Sequence, residues 1–256
     1  MQSEITRIAL TAGEVKAAKA TPTLLAQAVM AGAFISLGGL LSILVGYGFP
    51  DAAAVNPGLQ RLLSGLTFPV GLFLIVMLGG ELFTGNNAVL IPGLAHGRFR
   101  TGALLRNWAL VWLGNLAGAL AFTFLFVLAA GITDIYPYRE AMQGITLAKC
   151  SLPPVQILMR AIAANWCVCL AVWLAIYVKG IGAKALACWI PVAAFVICGY
   201  EHSIANMFFI PCGALAGAPV EWGAACANIL LATLGNIIGG ALLVGLLFTR
   251  MYRADK

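Results

Sequence analysis

Six long apolar segments, each about as long as a membrane span, dominate this sequence. They cover roughly residues 22–47, 62–94, 102–132, 154–178, 184–212 and 223–249. Helices of about 20 residues cross a hydrocarbon core of about 30 Å. With 62% hydrophobic and 9% charged residues, the chain has too little polar surface for a soluble domain. Period-two barrel strands are absent, so we predict an all-α integral membrane protein with six transmembrane helices.

The distribution of basic residues predicts how these spans are oriented. Eleven of the 15 Lys and Arg residues face the cytoplasm if both termini are cytoplasmic, as the positive-inside rule requires. The formal charge of +6 therefore indicates a multi-pass protein of the cell inner membrane, and we expect no nucleic-acid partner. Residues 1–21 are polar and show no signal peptide. We expect a cytoplasmic segment over 1–21, a single transmembrane domain over 22–250 and a cytoplasmic tail over 251–256.

The cysteines give no sign of a metal site. The seven Cys residues mostly fall inside apolar segments and show no CxxC spacing. We interpret them as reduced packing residues, and we expect neither a metal nor a cofactor.

Two of the apolar segments contain polar residues at membrane depth. In the fifth segment, Glu201-His202-Ser203-Ile204-Ala205-Asn206 lies near the middle of the apolar run 185–218; in the second, a polar stretch lies over residues 79–87. An ion at the centre of a membrane helix costs about 2.5 to 3.5 kcal/mol, so such residues usually mark a pathway. A satisfied structural polar pair is the alternative. Glycines and polar residues here favour broken helices, which must line a cavity or be buried in protein.

The two interruptions belong to a three-span repeat. The repeated residues are Glu81, Asn86 and Asn115 in the first half and Glu201, Asn206 and Asn236 in the second. Each Glu is followed by an Asn at the same spacing and, 34 or 35 residues later, by the Asn of a Leu-Gly-Asn motif. Because three is odd, successive repeats enter the membrane from opposite sides, and their broken helices meet at the midplane. We predict inverted repeats over about 22–132 and 154–249, with helices two and five broken.

Several of these motifs resemble the formate/nitrite transporter family. They are Glu201-His202-Ser203-Ile204-Ala205-Asn206-Met207 with Ile210-Pro211, Glu81-Leu82-Phe83-Thr84-Gly85-Asn86, Trp112-Leu113-Gly114-Asn115, Ala148-Lys149 and Ala164-Asn165-Trp166. The resemblance covers about residues 22–250. It implies an aquaporin-like protomer in the lipid bilayer, a homopentamer with one pore per protomer, and permeation of small monovalent weak-acid anions such as formate, nitrite or hydrosulfide.

The resemblance also implies roles for individual residues. The expected pore and proton-relay residues are His202, Thr84, Asn206 and Asn165. The expected constriction residues are Phe68, Leu72 and Phe195 on the outer side and Leu82 on the inner side. Lys149 is expected to draw the anion in.

The physical chemistry of such a pore favours a proton as the second permeant. An anion that enters a ring of Phe and Leu loses its water, and desolvation favours the neutral acid. We hypothesise that Lys149 gathers the anion and that His202, or a water chain through it, supplies and recovers the proton. The positive ends of the half-helices add to the attraction. The alternatives are a neutral His202 that only holds Thr84 and a Lys149 that is a plain surface lysine.

The remaining polar residues of the repeat are interpreted as structural. Glu81 and Glu201 are expected to support the breaks by accepting unpaired backbone N–H groups. Asn86, Asn115 and Asn236 are expected to hydrogen-bond between helices.

Two other functions compete with anion permeation. Paired broken helices also suit a channel for neutral solutes, but the Asn-Pro-Ala pairs of aquaporins are missing. A membrane enzyme is the second alternative, yet the chain shows no nucleophile elbow, no HExxH motif and no second titratable cluster. We therefore expect no catalytic residue.

Overall fold

A computed structural model describes residues 2–252, and every regular element in this range is helical. The α-helices are α1 Gln2–Ala18, α2 Thr21–Gly46, α3 Pro50–Val55, α4 Pro57–Thr67, α5 Val70–Leu78, α6 Phe83–Ala95, α7 Thr101–Phe122, α8 Tyr138–Cys150, α9 Pro154–Tyr177, α10 Ile181–Ile197, α11 Ser203–Leu215, α12 Trp222–Ile237 and α13 Leu247–Met251. A π-helix extends α7 over Thr123–Leu128, and another joins α12 to α13 over Ile238–Leu246. Most of the predicted tail, residues 253–256, lies outside the described residues.

The six predicted spans are confirmed, with some differences at their ends. By length and composition, the described chain has five helical stretches that can cross a membrane: Thr21–Gly46, Pro57–Leu78, Thr101–Leu128, Pro154–Tyr177 and Trp222–Met251. The remaining span consists of the shorter apolar helices α10 and α11. Helix α6 likewise completes the span that begins with α4 and α5.

Spans two and five are broken, as predicted. Helix α5 ends at Gly79 with φ of +76°, and α10 is followed by Gly199 with φ of +70°. Glycine adopts this left-handed conformation without a steric cost because it lacks Cβ. After each break, the new helix begins at Phe83 or Ser203. The polar residues from Thr84 to Asn87 therefore lie in the first turns of α6. The sequence predicts them inside the break, so this part of the prediction is wrong.

The first and third spans of each repeat approach each other closely at glycines. A Cβ placed on Gly114 of α7 would lie 2.5 Å from the Cβ of Ala28 in α2. In the second half, a Cβ on Gly235 of α12 would lie 2.6 Å from the Cβ of Ala161 in α9. Small residues allow such approach between membrane helices. The same packing in both halves confirms the inverted repeat.

Helices α1 and α8 also lie outside the spans, and neither was predicted from the sequence. Helix α1 lies along α6, where a Cβ on Gly13 would meet the Val89 carbonyl oxygen at 2.6 Å. Helix α8 lies in the polar link between repeats and packs against α11, where Thr146 Oγ1 donates to the Phe209 carbonyl at 2.8 Å. These helices carry lysines to the two ends of the protomer: α1 to the predicted cytoplasmic end and α8 to the opposite end.

Candidate functional site

Two cavities extend toward the broken helices from opposite ends of the protomer. The α1-side cavity has a volume of about 720 Å³, and its lining includes Lys16, Lys19, Leu72, Glu81, Leu82 and Asn86. The α8-side cavity has a volume of about 380 Å³, and its lining includes Arg61, Phe68, Lys149, Phe195, His202 and Asn206. Phe68 and Phe195 thus face one cavity, while Leu72 and Leu82 face the other.

The buried imidazole of His202 lies between the two broken helices. It precedes the first residue of α11, and its Nδ1 accepts the backbone N–H of Ala205 at 3.1 Å. Its Nε2 lies 2.9 Å from Thr84 Oγ1 on the other broken helix. Because Nδ1 is already an acceptor, the hydrogen of the neutral ring resides on Nε2, which donates to Thr84. A second proton on Nδ1 would displace the bond from Ala205.

Aromatic rings line the α8-side cavity next to His202. The Phe195 ring stacks on the imidazole with centroids 5.8 Å apart, and it meets Phe68 edge-on at 5.7 Å. Phe209 stacks on the other side of Phe68 at 6.3 Å. An anion that reaches His202 from this side must therefore pass buried aromatic surface.

A polar cluster holds the break beside α11. The Glu201 carboxylate accepts from Lys149 Nζ at 2.9 Å and from Asn206 Nδ2 at 2.6 Å. Asn206 Nδ2 also donates to Asn228 Oδ1 at 2.7 Å, and Asn228 Nδ2 donates to the Lys149 carbonyl at 3.0 Å. This cluster connects α8, α11 and α12.

The same cluster occurs at the other break, with one additional lysine. The Glu81 carboxylate accepts from Lys16 Nζ at 2.8 Å, from Lys19 Nζ at 2.6 Å and from Asn86 Nδ2 at 2.7 Å. Asn86 also donates to Asn107 Oδ1 at 2.9 Å. The predicted backbone donors for the two glutamates are wrong, because the observed donors are all side chains.

One backbone N–H group at each break is paired by Asn115 or Asn236 instead. Asn115 Oδ1 accepts from Phe83 N at 2.9 Å, and Asn236 Oδ1 accepts from Ser203 N at 2.8 Å. Their Nδ2 groups donate to carbonyls of the preceding glutamate and of the first span of each repeat. Their predicted role as interhelical hydrogen bonders is confirmed, and each amide also caps the beginning of a half-helix.

Asn165 is fully buried behind Thr84. Its Nδ2 lies 3.2 Å from the Thr84 carbonyl and 2.6 Å from the Asn236 carbonyl. This geometry places Asn165 as a support for the Thr84 backbone, whereas Asn206 itself lines the α8-side cavity.

Several members of the site were not predicted from the sequence. They are Asn107, Asn228, Lys16, Lys19 and Arg61. The two asparagines were detectable, since they follow the Asn of each break by 21 and 22 residues and so extend the repeat. The two lysines were not, because no sequence pattern places α1 against a broken helix.

An inverted repeat with two broken helices and a cavity on each side defines an aquaporin-like membrane permease. Comparisons with known proteins identify the family more closely. A family model described as formate/nitrite transporter matches residues 3–250. The chain therefore belongs to the formate/nitrite transporter family, which is a family of membrane transport proteins.

Individual relatives are similar along most of their length. A probable formate transporter of Methanothermobacter thermautotrophicus is 40% identical over 238 residues, covering 87% of this chain and 86% of that protein. A solved FNT family ion channel superposes with a TM-score of 0.88 at 29% identity, covering 97% of this chain and 98% of the other. A solved pentameric formate channel with formate bound gives a TM-score of 0.81 at 30% identity, covering 91% and 98%.

Neutralising Glu81 is expected to destabilise the protein more than neutralising Glu201. Glu81→Gln leaves two ammonium groups beside an uncharged amide, whereas Glu201→Gln leaves one. Burial lowers the pKa of Lys16, and the Glu81 carboxylate acts in the opposite direction. Removing one partner of a buried pair costs about 3 kcal/mol or more. The midpoint of thermal unfolding measures both changes, and an equal or smaller effect of Glu81→Gln would contradict the prediction.

Proposed function

We propose that this protein conducts small monovalent weak-acid anions, with formate as the first candidate, and that permeation is linked to a proton through His202. The observation that carries the proposal is the position of the imidazole, which lies between Phe195 and Thr84 where the two broken helices meet. The names of the relatives support formate in particular.

The aromatic lining supports passage of the solute in its protonated form, the neutral acid. An anion between Phe68 and Phe195 exchanges water for apolar contacts, which raises the free energy of the charged form most. The anion therefore takes up a proton to form the neutral acid before it crosses, and the acid releases that proton in the opposite cavity. Thr84 keeps the Nε2 hydrogen of His202 directed into the junction between the cavities.

The side-chain oxygen of Asn206 supports passage of the neutral acid, because it can only accept a hydrogen bond. Its Nδ2 hydrogens are both directed to acceptors, the Glu201 carboxylate and Asn228 Oδ1. Its Oδ1 is buried and has no hydrogen-bond partner among residues 2–252. This oxygen can accept a hydrogen bond from the O–H of a protonated acid or from water, but it offers nothing to a bare anion.

The assembly and orientation are part of the same proposal. We propose a homopentamer, by analogy with the solved pentameric formate channel. We further propose that it lies in the inner membrane with both termini cytoplasmic, which the distribution of Lys and Arg favours. Large apolar side chains exposed on the protomer, including Leu230 and Phe124, provide surface for lipid or for neighbouring subunits. Lys149 meets the anion at close range in the α8-side cavity, and Lys16 and Lys19 meet it in the α1-side cavity.

Flux into proteoliposomes tests this function. We expect formate flux to rise several-fold between about pH 7.5 and about pH 5.5, because a lower pH supplies more of the proton that crosses with the anion. Nitrite, hydrosulfide and acetate in parallel define the substrate class, and protein-free liposomes are the control. Glycerol-induced swelling without acid-linked flux would instead indicate a channel for neutral solutes.

A further inference from the structure

The α8-side cavity contains one cation whose charge no carboxylate compensates. Among the described residues, the charged side chains that line it are Arg61, Lys149 and Glu201. Lys149 Nζ lies 2.9 Å from the Glu201 carboxylate, whose side chain is only 4% exposed. This pair has no net charge, so its field falls off quickly with distance. Lys149 therefore acts on an anion at contact distance, and its long-range attraction is small.

Arg61 is placed differently. It lies on an exposed turn of α4, lines the same cavity, and has no ion pair within residues 2–252. Tyr47 lines the same cavity. A guanidinium stays charged at every physiological pH. Arg61 thus gives the α8-side cavity its net positive charge.

The α1-side cavity needs no such residue. There, Lys16 and Lys19 share one carboxylate, Glu81, and Arg7 and Lys184 also belong to the lining. That cavity is positive through several cations, whereas the α8-side cavity depends on a single one. This difference makes entry from the α8 side sensitive to one substitution.

We propose that Arg61 is the residue that recruits the anion into the α8-side cavity, and that Lys149 is mainly a positioning residue for Glu201 and Asn228. The proposal rests on the proposed function, because it assumes that the solute enters as an anion. Attraction by an uncompensated charge raises the local concentration of the anion and lowers the KM for entry, while the maximal flux is set deeper in the pore.

The experiment compares Arg61→Gln, Arg61→Lys and the wild type in right-side-out and inside-out membrane vesicles with labelled formate. At an ionic strength of about 10 mM, where the Debye length is about 30 Å, Arg61→Gln should raise the KM from the α8 side about threefold or more. The difference should shrink at about 150 mM, where the Debye length is about 8 Å. Maximal flux and entry from the α1 side should be unchanged, and Arg61→Lys should behave like the wild type.

Arg139→Gln is the matched control. Arg139 is also exposed on the predicted outer side, but it pairs with Asp134 at 2.6 Å and lies outside the cavity lining. Its loss changes the surface charge by the same amount without changing the cavity. An equal rise in KM in Arg139→Gln, or an unchanged KM in Arg61→Gln at low ionic strength, would overturn the proposal.

A second measurement does not depend on the transported solute. Ala148 is exposed and lines the same cavity, so Ala148→Cys provides a thiol that anionic and cationic methanethiosulfonate reagents can modify. Mass spectrometry of the peptide that contains residue 148 gives the two rates. Adding Arg61→Gln should lower the anionic-to-cationic rate ratio several-fold, and an unchanged ratio would refute the role of Arg61. If the wild type carries no formate, the proposed function fails, while this ratio still decides the role of Arg61.

Discussion

Replacing His202 with phenylalanine is expected to abolish the pH dependence of formate uptake. At about pH 6 the uptake should fall by about two orders of magnitude, the contribution typical of a positioned proton-transfer group. Phenylalanine preserves the aromatic surface against Phe195, but it removes the Nε2 hydrogen that points to Thr84. Uptake of labelled formate at equal expression, measured over a series of pH values, gives the result.

A second variant separates the proton role from the structural one. His202→Phe also removes the acceptor for the Ala205 N–H, and losing a helix cap costs about 0.5 to 2 kcal/mol. His202→Asn retains a side-chain acceptor at this position but has no titrating ring. Both variants should lose the pH dependence, and His202→Asn should keep more of the thermal stability. A normal pH profile in either variant would remove the imidazole from the mechanism.

Replacing Asn236 with alanine is expected to destabilise the protein strongly. The substitution leaves the buried Ser203 N–H and Glu201 carbonyl without their partner. It also removes one of the hydrogen bonds to the Ala161 carbonyl, which stays paired within α9. Each unsatisfied buried group costs about 1 to 3 kcal/mol, so a total loss of about 3 kcal/mol or more is expected. The yield of folded protein in detergent and its midpoint of thermal unfolding measure the effect.

The pseudo-symmetry of the molecule supplies a matched variant for this prediction. Asn115→Ala removes the equivalent bonds to Phe83, Ala28 and Glu81 and should have a similar effect. Leu230→Ala, on a side chain that is 61% exposed in α12, serves as the control for a simple truncation on the same helix. A stability equal to that of the control in both asparagine variants would show that the amides do not hold the breaks.

The broken helices were predictable from sequence because polar residues and glycines interrupt otherwise apolar segments. Glycine, Glu and Asn at membrane depth cannot continue an ordinary lipid-facing helix, and the two breaks occur where these residues cluster, beginning at Gly79 and Gly199. The register within each break was harder to predict. Helix α6 begins at Phe83, where Asn115 Oδ1 accepts the Phe83 N–H and the Leu82 carbonyl accepts the Asn86 N–H. Composition does not reveal that Asn115, which is distant in sequence, supplies such a partner.

The partners of the charged residues could not be predicted from sequence patterns either. The sequence indicated that Glu81 and Glu201 stabilise the breaks, but the observed donors are lysines 65, 62 and 52 residues away. Lys16 and Lys19 looked like ordinary cytoplasmic charges because α1 has no strongly apolar segment to indicate its docking. Arg61 likewise resembled a surface residue until the fold placed it at the rim of a cavity.

The sequence by itself determined the membrane class, the six spans, the inverted repeat and the position of the polar interruptions. These features follow from local hydrophobicity and spacing, since each span must bury its apolar residues and satisfy its backbone within the bilayer. Only the tertiary structure decided which groups meet: the imidazole against Thr84, and the lysines against the two glutamates. It also placed Arg61 in the α8-side cavity, where it forms no ion pair with any of residues 2–252. Those contacts form between residues that are tens of positions apart in the sequence. They depend on how the helices pack against one another, which local hydrophobicity and spacing do not specify.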